Sequence, residues 1–490
     1  MLKITTQGRI FIDSEGRQRI FNGVNLCDKG YNEDGNPDRI YKPDEYFNEE
    51  VIKTLADNGF NIVRLGLTWD AVEPHPGEYN EEYLAKVRRV ADLCEKYGIY
   101  FYLDMHQDLY SGGKDLAGDG APEWACLTDG AKQKPTKFVW AEGYFWGKAV
   151  HRAFDSFWQN REYNGVPLQT WFCNMWKHVA QEFKDHPALF GFDMLNEPFP
   201  GSDGGKVFRK LIAGVAKTVI FDKRCKILWL AKQLFTGNAI RCLEPFSDYL
   251  LLRKATSNAD ALIHKFDTGY YSEFINRTAS AIREVTDNGI IMMENSYYSN
   301  LGIPYSTPAV TIGGKREEKL CFVPHAYDMM VDTPEYKYAS NTRVGGIFDE
   351  HRRSQERLGV PLLVGEWGGQ SEGTEWLHHI KYLLDKFDSY QWGQTYWCYY
   401  DGLFENPIMG DLRRTFACAV TGRINSYSFD RQSNTYTLSY TQDRDYDSAT
   451  EIYLHAAPAS VETDGDYTVE GSRLLLRTGA GEHRITIKFS

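Results

Sequence analysis

A chain of 490 residues is long enough for one large domain and a smaller one, each with an apolar core. Hydrophobic residues make up 42% of the sequence and charged residues 25%, which is ordinary for a globular enzyme. The net charge of -12 argues against nucleic acid as a partner, because its phosphates would be repelled. No apolar run is long enough to span a bilayer, so we expect at most peripheral contact with a membrane or micelle surface.

Over the first 400 residues, short apolar strands alternate with amphipathic helices. Strands are predicted at residues 20–26, 61–67, 99–108, 189–195, 289–295, 320–328, 361–366 and 392–401. Helices are predicted at residues 49–58, 81–97, 169–184, 207–219, 273–285, 344–358 and 372–387. This order predicts an α/β fold with right-handed crossovers and a parallel sheet, and eight strands favour a (β/α)8 TIM barrel. An open doubly wound sheet is the alternative, although no Gly-x-Gly-x-x-Gly turn supports it.

The two ends of the chain are predicted to form β structure without the alternating helices of the middle. Residues 8–19 predict a β-hairpin that lies as a lid under the main domain. After about residue 415, short strands separated by polar turns predict a small antiparallel β-sandwich. We therefore divide the chain into a barrel domain with a short N-terminal hairpin, residues 1–414, and a β-sandwich domain, residues 415–490.

Two long segments interrupt the barrel pattern. Residues 109–160 begin as a Gly-rich loop and continue as an aromatic stretch. Residues 199–288 contain the predicted helices 207–219 and 273–285, and between them an ambiguous run at 225–230 and an apolar stretch at 234–252. Long loops in compact domains are usually functional, so both segments are expected to contribute to a site.

The cysteines indicate the compartment. All nine are scattered, and they lack the spacing of metal ligands. They are interpreted as reduced, mostly buried thiols of a cytoplasmic protein. The residues from Met1 to Gly8 are too short and too polar for a secretion signal. We therefore expect a cytoplasmic location, or a secreted one if a leader has been removed.

Two of the predicted strands end in a carboxylate. Glu197 follows the fourth strand in Asn196-Glu197-Pro198, and Glu366 ends the apolar run of the seventh. Because the carboxyl ends of barrel strands meet at one rim, the two carboxylates are expected to lie together. For either one taken singly, an ordinary strand-terminal charge in water is the alternative interpretation. The further residues predicted at this rim are Arg64, His106, Asp108, Asn196, His325, Tyr327 and Trp397.

Two carboxyl groups about 5 Å apart can cleave a glycosidic bond with retention of configuration. One must be a neutral acid, and the other must be an ionised nucleophile. Arg64 would lower the pKa of the nucleophile, whose negative charge would raise the pKa of its partner. We expect Asn196 to bind the sugar 2-hydroxyl, Tyr327 to orient the nucleophile and Trp397 to form the floor of the first sugar subsite.

Plainer explanations exist for the individual residues. Arginine and histidine at strand ends often only satisfy loop carbonyls, and Trp397 on its own would be an ordinary core residue. Metal binding is a weaker alternative, because His106 and Asp108 face the same side of a strand but no further ligands stand at the right spacing. We predict no metal and no cofactor.

The motifs at the fourth and seventh strand ends resemble glycoside hydrolase family 5 of clan A. The segments 104–108, 120–124 and 196–201, together with the C-terminal β-sandwich, resemble its endoglycoceramidase subgroup. The resemblance covers nearly the whole chain and implies that Glu197 is the acid/base and Glu366 the nucleophile. It implies that Lys29, Asp108 and Asn196 bind sugar. The supporting residues that match the family are Arg64, His106, His325, Tyr327 and Trp397.

The resemblance implies a retaining hydrolase that cuts the β-glycosidic bond between a sugar headgroup and ceramide. The two apolar segments are expected to form a slot for lipid chains. A β-glucosidase or glucosylceramidase acting on simple glucosides or single-sugar glycolipids is the alternative. A polysaccharide fits the bulky apolar loops less well, and a catalytically silent glycan-binding protein is a further possibility. The sequence does not determine the length of the headgroup or the oligomeric state.

Overall fold

The computed structural model describes residues 1–32, 39–113, 116–134, 136, 140–237 and 239–490. Eight parallel strands surround its centre, each beside the next in chain order, and the eighth pairs with the first. Isolated bridges from Phe322 to Leu362 and from His325 to Glu366 join the sixth strand to the seventh. The strands are Asn22–Cys27, Ile62–Thr68, Tyr100–His106, Leu189–Asp193, Ile290–Met293, Leu320–Phe322, Leu363–Val364 and Gly393–Tyr396. The predicted TIM barrel is confirmed, and the alternative of an open sheet is wrong.

Helices cover the outside of the barrel. Those between or after its strands are Glu49–Asp57, Glu81–Lys96, Leu168–Phe183, Ser272–Arg283, Asn341–Leu358 and Leu377–Tyr390. Shorter or inserted helices are Pro43–Tyr46, Trp69–Val72, Glu142–Trp146, Lys148–Trp158, Ser202–Phe221, Ile227–Phe235, Tyr249–Thr256, Asp260–Phe266 and Met409–Leu412. No helix in the described part of the chain is both long enough and apolar enough to cross a membrane.

The helix Glu81–Lys96 shows how the local sequence sets these elements. The Asn80 side chain accepts a hydrogen bond from the backbone N–H of Tyr83 and so caps the first turn, a contribution of about 1 kcal/mol. Buried residues recur every three or four positions, for example at Leu84 and Val87, and this stripe faces the barrel. Gly98 follows the helix with a φ of 74°, a conformation that favours glycine.

The barrel strands are buried on both faces. Every residue of Ile62–Thr68 and of Tyr100–His106 is buried, which explains why these segments are nearly continuous apolar runs. The N-terminal hairpin closes the end of the barrel where the strands begin. The centre of the Phe11 ring lies 5.6 Å from that of Phe21 and 5.2 Å from that of Phe190. In this fold, functional residues lie at the opposite end of the barrel, where the carboxyl ends of the strands meet.

The C-terminal domain consists of two antiparallel sheets. One contains Arg423–Asp430, Thr435–Gln442, Gly481–Phe489 and Pro458–Thr463, and the other contains Phe416–Val420, Thr450–Tyr453, Arg473–Arg477 and Asp466–Glu470. Along Thr435–Gln442 every second residue is buried, as expected for a strand with one face on a core. The predicted antiparallel β domain is confirmed.

The N-terminal hairpin belongs to this second sheet by its hydrogen bonds. Its strands are Ile4–Gln7, Ile10–Asp13 and Gln18–Arg19, and the last of them pairs with Phe416–Val420. The hairpin thus contacts both parts of the chain, because it pairs with Phe416–Val420 and also packs on the barrel. Sequence could not show this, because pairing at the edge of a sheet is a contact between distant parts of the chain.

The barrel and the C-terminal domain meet at a buried carboxylate. Asp388, in the last barrel helix, accepts hydrogen bonds from the Arg414 guanidinium and, at 3.1 Å, from the Tyr427 hydroxyl. All three side chains are almost fully buried. Because a buried charge is costly unless it is paired, this triad ties the two domains to one another.

The chain makes a long excursion after the fourth strand. The helix Ser272–Arg283 packs against Leu168–Phe183, the helix that precedes the fourth strand, so it is the segment that returns to the barrel wall. The helices Ser202–Phe221, Ile227–Phe235 and Tyr249–Thr256 lie between. The ambiguous run at 225–230 is thus largely helical. The excursion begins at the carboxyl end of the barrel, beside Glu197.

Candidate active site

Glu197 lies in a constrained turn after the fourth strand. Its φ is 43°, which is uncommon for a residue with a side chain. Its backbone N–H donates to Glu294 Oε2 at 2.7 Å, and the carboxylate of Glu294 thereby holds the turn. The side chain of Glu197 is only 8% exposed, so its carboxyl group is largely shielded from water.

Glu366 is held through both carboxylate oxygens. Arg64 Nη1 donates to Oε1 at 2.6 Å, and the Tyr327 hydroxyl donates to Oε2 at 2.8 Å. Both hydrogen bonds are short. The carboxylate of Glu366 is therefore fixed in orientation, as an attacking group must be.

The two glutamates face one another across His325. An oxygen of each carboxylate lies within 4.8 Å of the other, and an imidazole nitrogen lies within the same distance of both. His325 Nδ1 is 3.3 Å from Glu197 Oε1 and 3.6 Å from Glu366 Oε2. Carboxyl groups about 5–5.5 Å apart characterise retaining glycosidases, whereas inverting enzymes need about 6.5–9.5 Å for a water molecule. The observed spacing fits retention.

The surroundings of Glu197 favour its protonated form. Burial raises the pKa of Glu197, and the negative charge of Glu366 adds to this rise, although His325 opposes it. Burial lowers the pKa of His325, but Glu294 and Glu366 outweigh burial and hold that pKa well above its usual value. The raised pKa suits Glu197 to the role of proton donor.

Arg64 is the counter-ion for most of the buried charge. Its guanidinium is 1% exposed and contacts carboxylates of four residues at 2.6 to 3.1 Å. These residues are Asp104, Asp193, Glu294 and Glu366. Burial and the charge of Glu294 raise the pKa of Asp193 well above its ordinary value, which reduces the negative charge that one cation must balance.

A second cluster lies beside the glutamates. The Lys29 ammonium contacts the carboxylate of Asp108 and lies 3.4 Å from that of Asp119. His106 stacks on the Trp397 ring at 5.2 Å, and Lys29 Nζ lies 5.2 Å from the centre of the same ring. Because Lys29, Asp108 and Trp397 are all partly exposed, the cluster offers charged donors and acceptors next to an open aromatic face.

Asn196 is fixed by its neighbours, and within the described part of the chain one of its two N–H groups has no acceptor. Its Oδ1 accepts from Arg64 Nη2 at 2.9 Å, and its Nδ2 donates to the carbonyl of Gln107 at 3.0 Å. A side-chain amide carries two N–H groups, so the second one remains for a hydroxyl in the cleft. The structure thus brings together all ten residues that the sequence predicted at the site: Lys29, Arg64, His106, Asp108, Asn196, Glu197, His325, Tyr327, Glu366 and Trp397.

Sequence reasoning missed several residues of the same network. Glu294 is the last residue but one of the fifth predicted strand. Glu197 and Glu366 were selected as carboxylates at strand ends, and the same criterion applies to Glu294. Asn300 carried no such signal, because it lies in a loop turn; its Nδ2 donates to Glu197 Oε1 at 2.6 Å. Asn295 in turn donates to Asn300 Oδ1 at 2.6 Å, so the amide of Asn300 is oriented toward Glu197.

Some of these groups are close enough to hold a cation. The sets are Glu197, His325 and Glu366; Asp104, Asp193 and Glu294; and His106, Asp108 and Asp119. Arg64 already contacts every carboxylate of the second set, and Lys29 contacts both carboxylates of the third. A metal ion would have to displace these side chains, and the absence of a metal or cofactor stays a prediction.

The predicted lipid slot does not correspond to a simple pairing of the two apolar segments. In the first, large side chains such as Tyr144 and Phe154 are buried and pack on one another and on Phe199. In the second, Phe235 is 92% exposed. The described residues of the first segment therefore mainly form core, whereas the second presents apolar groups on the outside.

Comparison with known proteins identifies the family. The sequence model of the cellulase family, glycosyl hydrolase family 5, matches residues 13–222 and 267–402. The chain belongs to glycoside hydrolase family 5. The C-terminal domain model of the same family matches residues 414–488. The prediction of a family 5 glycoside hydrolase is therefore confirmed, and residues 223–266 lie outside what the two models match.

Relatives of this family 5 enzyme extend over most of its length. Endoglycoceramidase I from Rhodococcus hoagii (strain 103S) is 25% identical over 512 residues, which cover 99% of this chain and 88% of the relative. Endoglycoceramidase from Hydra vulgaris is 25% identical over 477 residues, covering 90% and 77%. The structure of endo-glycoceramidase II from Rhodococcus sp. with ganglioside GM3 superposes with a TM-score of 0.74 at 23% identity, covering 99% and 100%. At 23% identity, this structural similarity shows that the two proteins share a fold.

Proposed function

We propose that this family 5 enzyme cleaves glycosphingolipids between the sugar headgroup and ceramide, with retention of configuration. The observation that carries the proposal is the pair of carboxyl groups, Glu197 and Glu366, within 4.8 Å and in unlike electrostatic surroundings. Two relatives named endoglycoceramidase, aligned over 90% and 99% of this chain, support the choice of substrate.

In the first step, Glu366 attacks the anomeric carbon of the sugar that is linked to ceramide. A bond forms between that carbon and a carboxylate oxygen, while the bond to the ceramide oxygen breaks. Glu197 gives its proton to the departing oxygen, so ceramide leaves as a neutral alcohol. Arg64 and Tyr327 hold the attacking carboxylate in place, which reduces the entropy lost in reaching the transition state.

In the second step, Glu197 is ionised and takes a proton from water. The oxygen of that water attacks the anomeric carbon, and the bond to Glu366 breaks. Two inversions give a sugar with the configuration of the substrate. As the ester forms, the negative charge of Glu366 is lost and that of Glu197 appears, and the cationic His325 is within 3.6 Å of both carboxylates.

The neighbouring cluster is suited to bind the sugar. Trp397 offers a flat ring for the C–H face of a pyranose, and its peptide bond to Cys398 is cis. Lys29 and Asp108 supply a charged donor and acceptor for hydroxyl groups, and Asn196 supplies one N–H near the 2-hydroxyl. We assign these residues to substrate binding and Glu197 and Glu366 to bond cleavage.

A substrate panel tests the proposal. Purified enzyme is incubated with glucosylceramide, galactosylceramide, lactosylceramide and a ganglioside in detergent, and the released glycan and ceramide are identified by mass spectrometry. We expect intact oligosaccharide and ceramide from at least one of the oligosaccharide-bearing lipids. Cleavage of glucosylceramide and simple aryl glucosides alone would instead indicate a glucosidase. Release of single sugars from the outer end of a ganglioside would contradict the proposal.

A further inference from the structure

The excursion after the fourth strand has an unusual surface. Among the described residues, all exposed Ile, Leu and Phe side chains lie between positions 212 and 250, with exposed fractions from 52% to 92%. They are Ile212, Ile220, Phe221, Ile227, Leu228, Leu234, Phe235 and Leu250. Single exposed apolar residues are normal on a protein surface, but their confinement to one segment is not. We call residues 202–256 the helical insertion.

These apolar residues lie outside the protein core, because each helix buries a different face. The helix Ser202–Phe221 already buries a stripe that includes Val207, Leu211 and Gly214, yet its outer face also carries apolar groups. In Ile227–Phe235, the polar Gln233 is buried while Phe235 is 92% exposed. A helix that is apolar on both faces indicates a second apolar partner beyond the protein core.

The charge of the helical insertion is opposite to that of the protein. The insertion contains eleven lysine or arginine residues and four aspartate or glutamate residues, within a chain of net charge -12. Six of the basic side chains are exposed and form no ion pair with any described residue. These are Arg209, Lys210, Lys217, Lys223, Lys226 and Lys232. The insertion is therefore a cationic surface on an acidic enzyme.

We infer that the helical insertion docks the enzyme on the surface of an anionic lipid bilayer. Exposed apolar side chains interspersed with lysines are typical of helices that lie in the plane of a membrane surface. Each unpaired lysine is attracted to anionic headgroups, and the exposed Leu and Phe side chains gain by entering the boundary with the acyl chains. A symmetric contact with a second copy would instead bring two cationic surfaces together.

The position of the helical insertion places the proposed membrane contact at the catalytic end of the barrel. It begins five residues after Glu197, at the same end of the barrel as both catalytic carboxylates, and the cellulase family model does not match its residues 223–256. A bilayer held there would lie beside the catalytic opening. That consequence rests on the proposed function, whereas the docking itself does not.

Vesicle cosedimentation tests the inference. The enzyme is mixed with vesicles of phosphatidylcholine alone or with about 30% phosphatidylserine, at low and high salt. We expect binding at least about tenfold stronger to the anionic vesicles, and a loss of this preference at high salt. Weak binding to both kinds of vesicle, or equal binding, would overturn the inference.

Two double variants separate the apolar and ionic contributions. Phe221→Ser with Phe235→Ser should weaken binding to anionic vesicles by at least about tenfold, because each phenyl ring no longer enters the bilayer. Lys223→Glu with Lys226→Glu should abolish the preference for anionic vesicles. The matched control for charge is Lys3→Glu with Lys315→Glu, exposed lysines outside the insertion, which should leave binding unchanged.

Three further readouts distinguish the outcomes. Both insertion variants should keep wild-type hydrolysis of a soluble aryl glycoside, which shows that the fold is intact. Wild-type enzyme that hydrolyses detergent-dispersed glycolipid but fails to bind anionic vesicles overturns the docking and leaves the proposed function standing. Vesicle binding without glycolipid hydrolysis supports the docking and contradicts the proposed function. A dimer that dissociates in the Phe221→Ser, Phe235→Ser variant would show that the surface joins two copies, and would overturn the inference.

Discussion

The side-chain amide of Asn300 donates a hydrogen bond of 2.6 Å to the carboxyl group of Glu197, although the two residues lie on loops after different barrel strands. A donor to a carboxylate favours its ionised form. Asn300 therefore opposes the burial that raises the pKa of Glu197.

Replacing Asn300 with Ala should raise the pKa of Glu197 further. Cleavage requires protonated Glu197, so the alkaline limb of the kcat profile against pH should move to higher pH. We expect kcat to fall roughly tenfold, because the acid is less well positioned. Profiles measured with a glycolipid check both effects, and Asn276→Ala, in a helix on the barrel wall, is the control. An unmoved alkaline limb would assign Asn300 a purely structural role.

Glu366→Ser should lower hydrolysis by at least about 10⁴-fold, since no other group is placed to attack the anomeric carbon. A glycosyl fluoride of inverted anomeric configuration mimics the covalent intermediate. With this donor and a sugar or lipid acceptor, the variant should form a glycoside that accumulates, because it cannot be hydrolysed. Product analysis by mass spectrometry checks this, and residual hydrolysis at the wild-type level would remove Glu366 from the nucleophile role.

Glu197→Ala should affect substrates according to their leaving group. A ceramide alcohol needs protonation as it departs, so its turnover should fall about 10³-fold, whereas an activated aryl group needs none. The glycosyl-enzyme should accumulate with the aryl substrate, and azide should speed its breakdown by replacing base-assisted water. Steady-state rates with and without azide measure this. Equal losses on both substrates without azide rescue would argue against the acid/base role.

Arg64→Met should destabilise the protein by about 3–5 kcal/mol, because four buried carboxylates lose their common cation. Burial raises the pKa of Asp104 and of Asp193, so these groups take up protons readily as the pH falls. The decrease in unfolding free energy caused by Arg64→Met should therefore be smaller at pH 5 than at pH 7. Calorimetry at both pH values tests this. The exposed Arg9→Met, which removes a surface ion pair with Glu356, should cost about 0–1 kcal/mol.

His106 should make stability fall at alkaline pH. Burial and Lys29 lower its pKa, but Asp104 and Asp108 outweigh them and raise it to about 10. An unfolded histidine has a pKa of about 6.5, so this contribution is complete below pH 6.5 and is lost as the pH rises toward 10. The difference in unfolding free energy between wild type and His106→Gln should shrink over that window. Denaturant titrations at several pH values measure it, and a constant difference would show that His106 stays neutral.

Much of the fold follows from local patterns in the chain. Each predicted barrel strand overlaps an observed one, because a strand covered on both faces must be a run of apolar residues between polar turns. The helix predicted at 81–97 is observed at Glu81–Lys96, since its apolar spacing, its Asn80 cap and Gly98 all agree.

The candidate site was predictable to the extent that it lies at strand ends. Glu197 and Glu366 follow strands directly, and barrel closure alone requires them to share a rim. Asn300 and Asp119 lie farther along their loops, and no local pattern shows where a loop returns. The cytoplasmic location and the domain boundary at residues 414 and 415 stay predictions.

The sequence by itself determined the barrel, the C-terminal β domain, the family and the two carboxylates, because each depends on periodicity or on residues at fixed places along the chain. Only the tertiary structure decided which partners each charge has. The four carboxylates on Arg64, the histidine between Glu197 and Glu366 and the bare apolar face around Phe235 all depend on distances between remote segments. Electrostatic interactions and burial depend on separation in space, and a sequence records only separation along the chain.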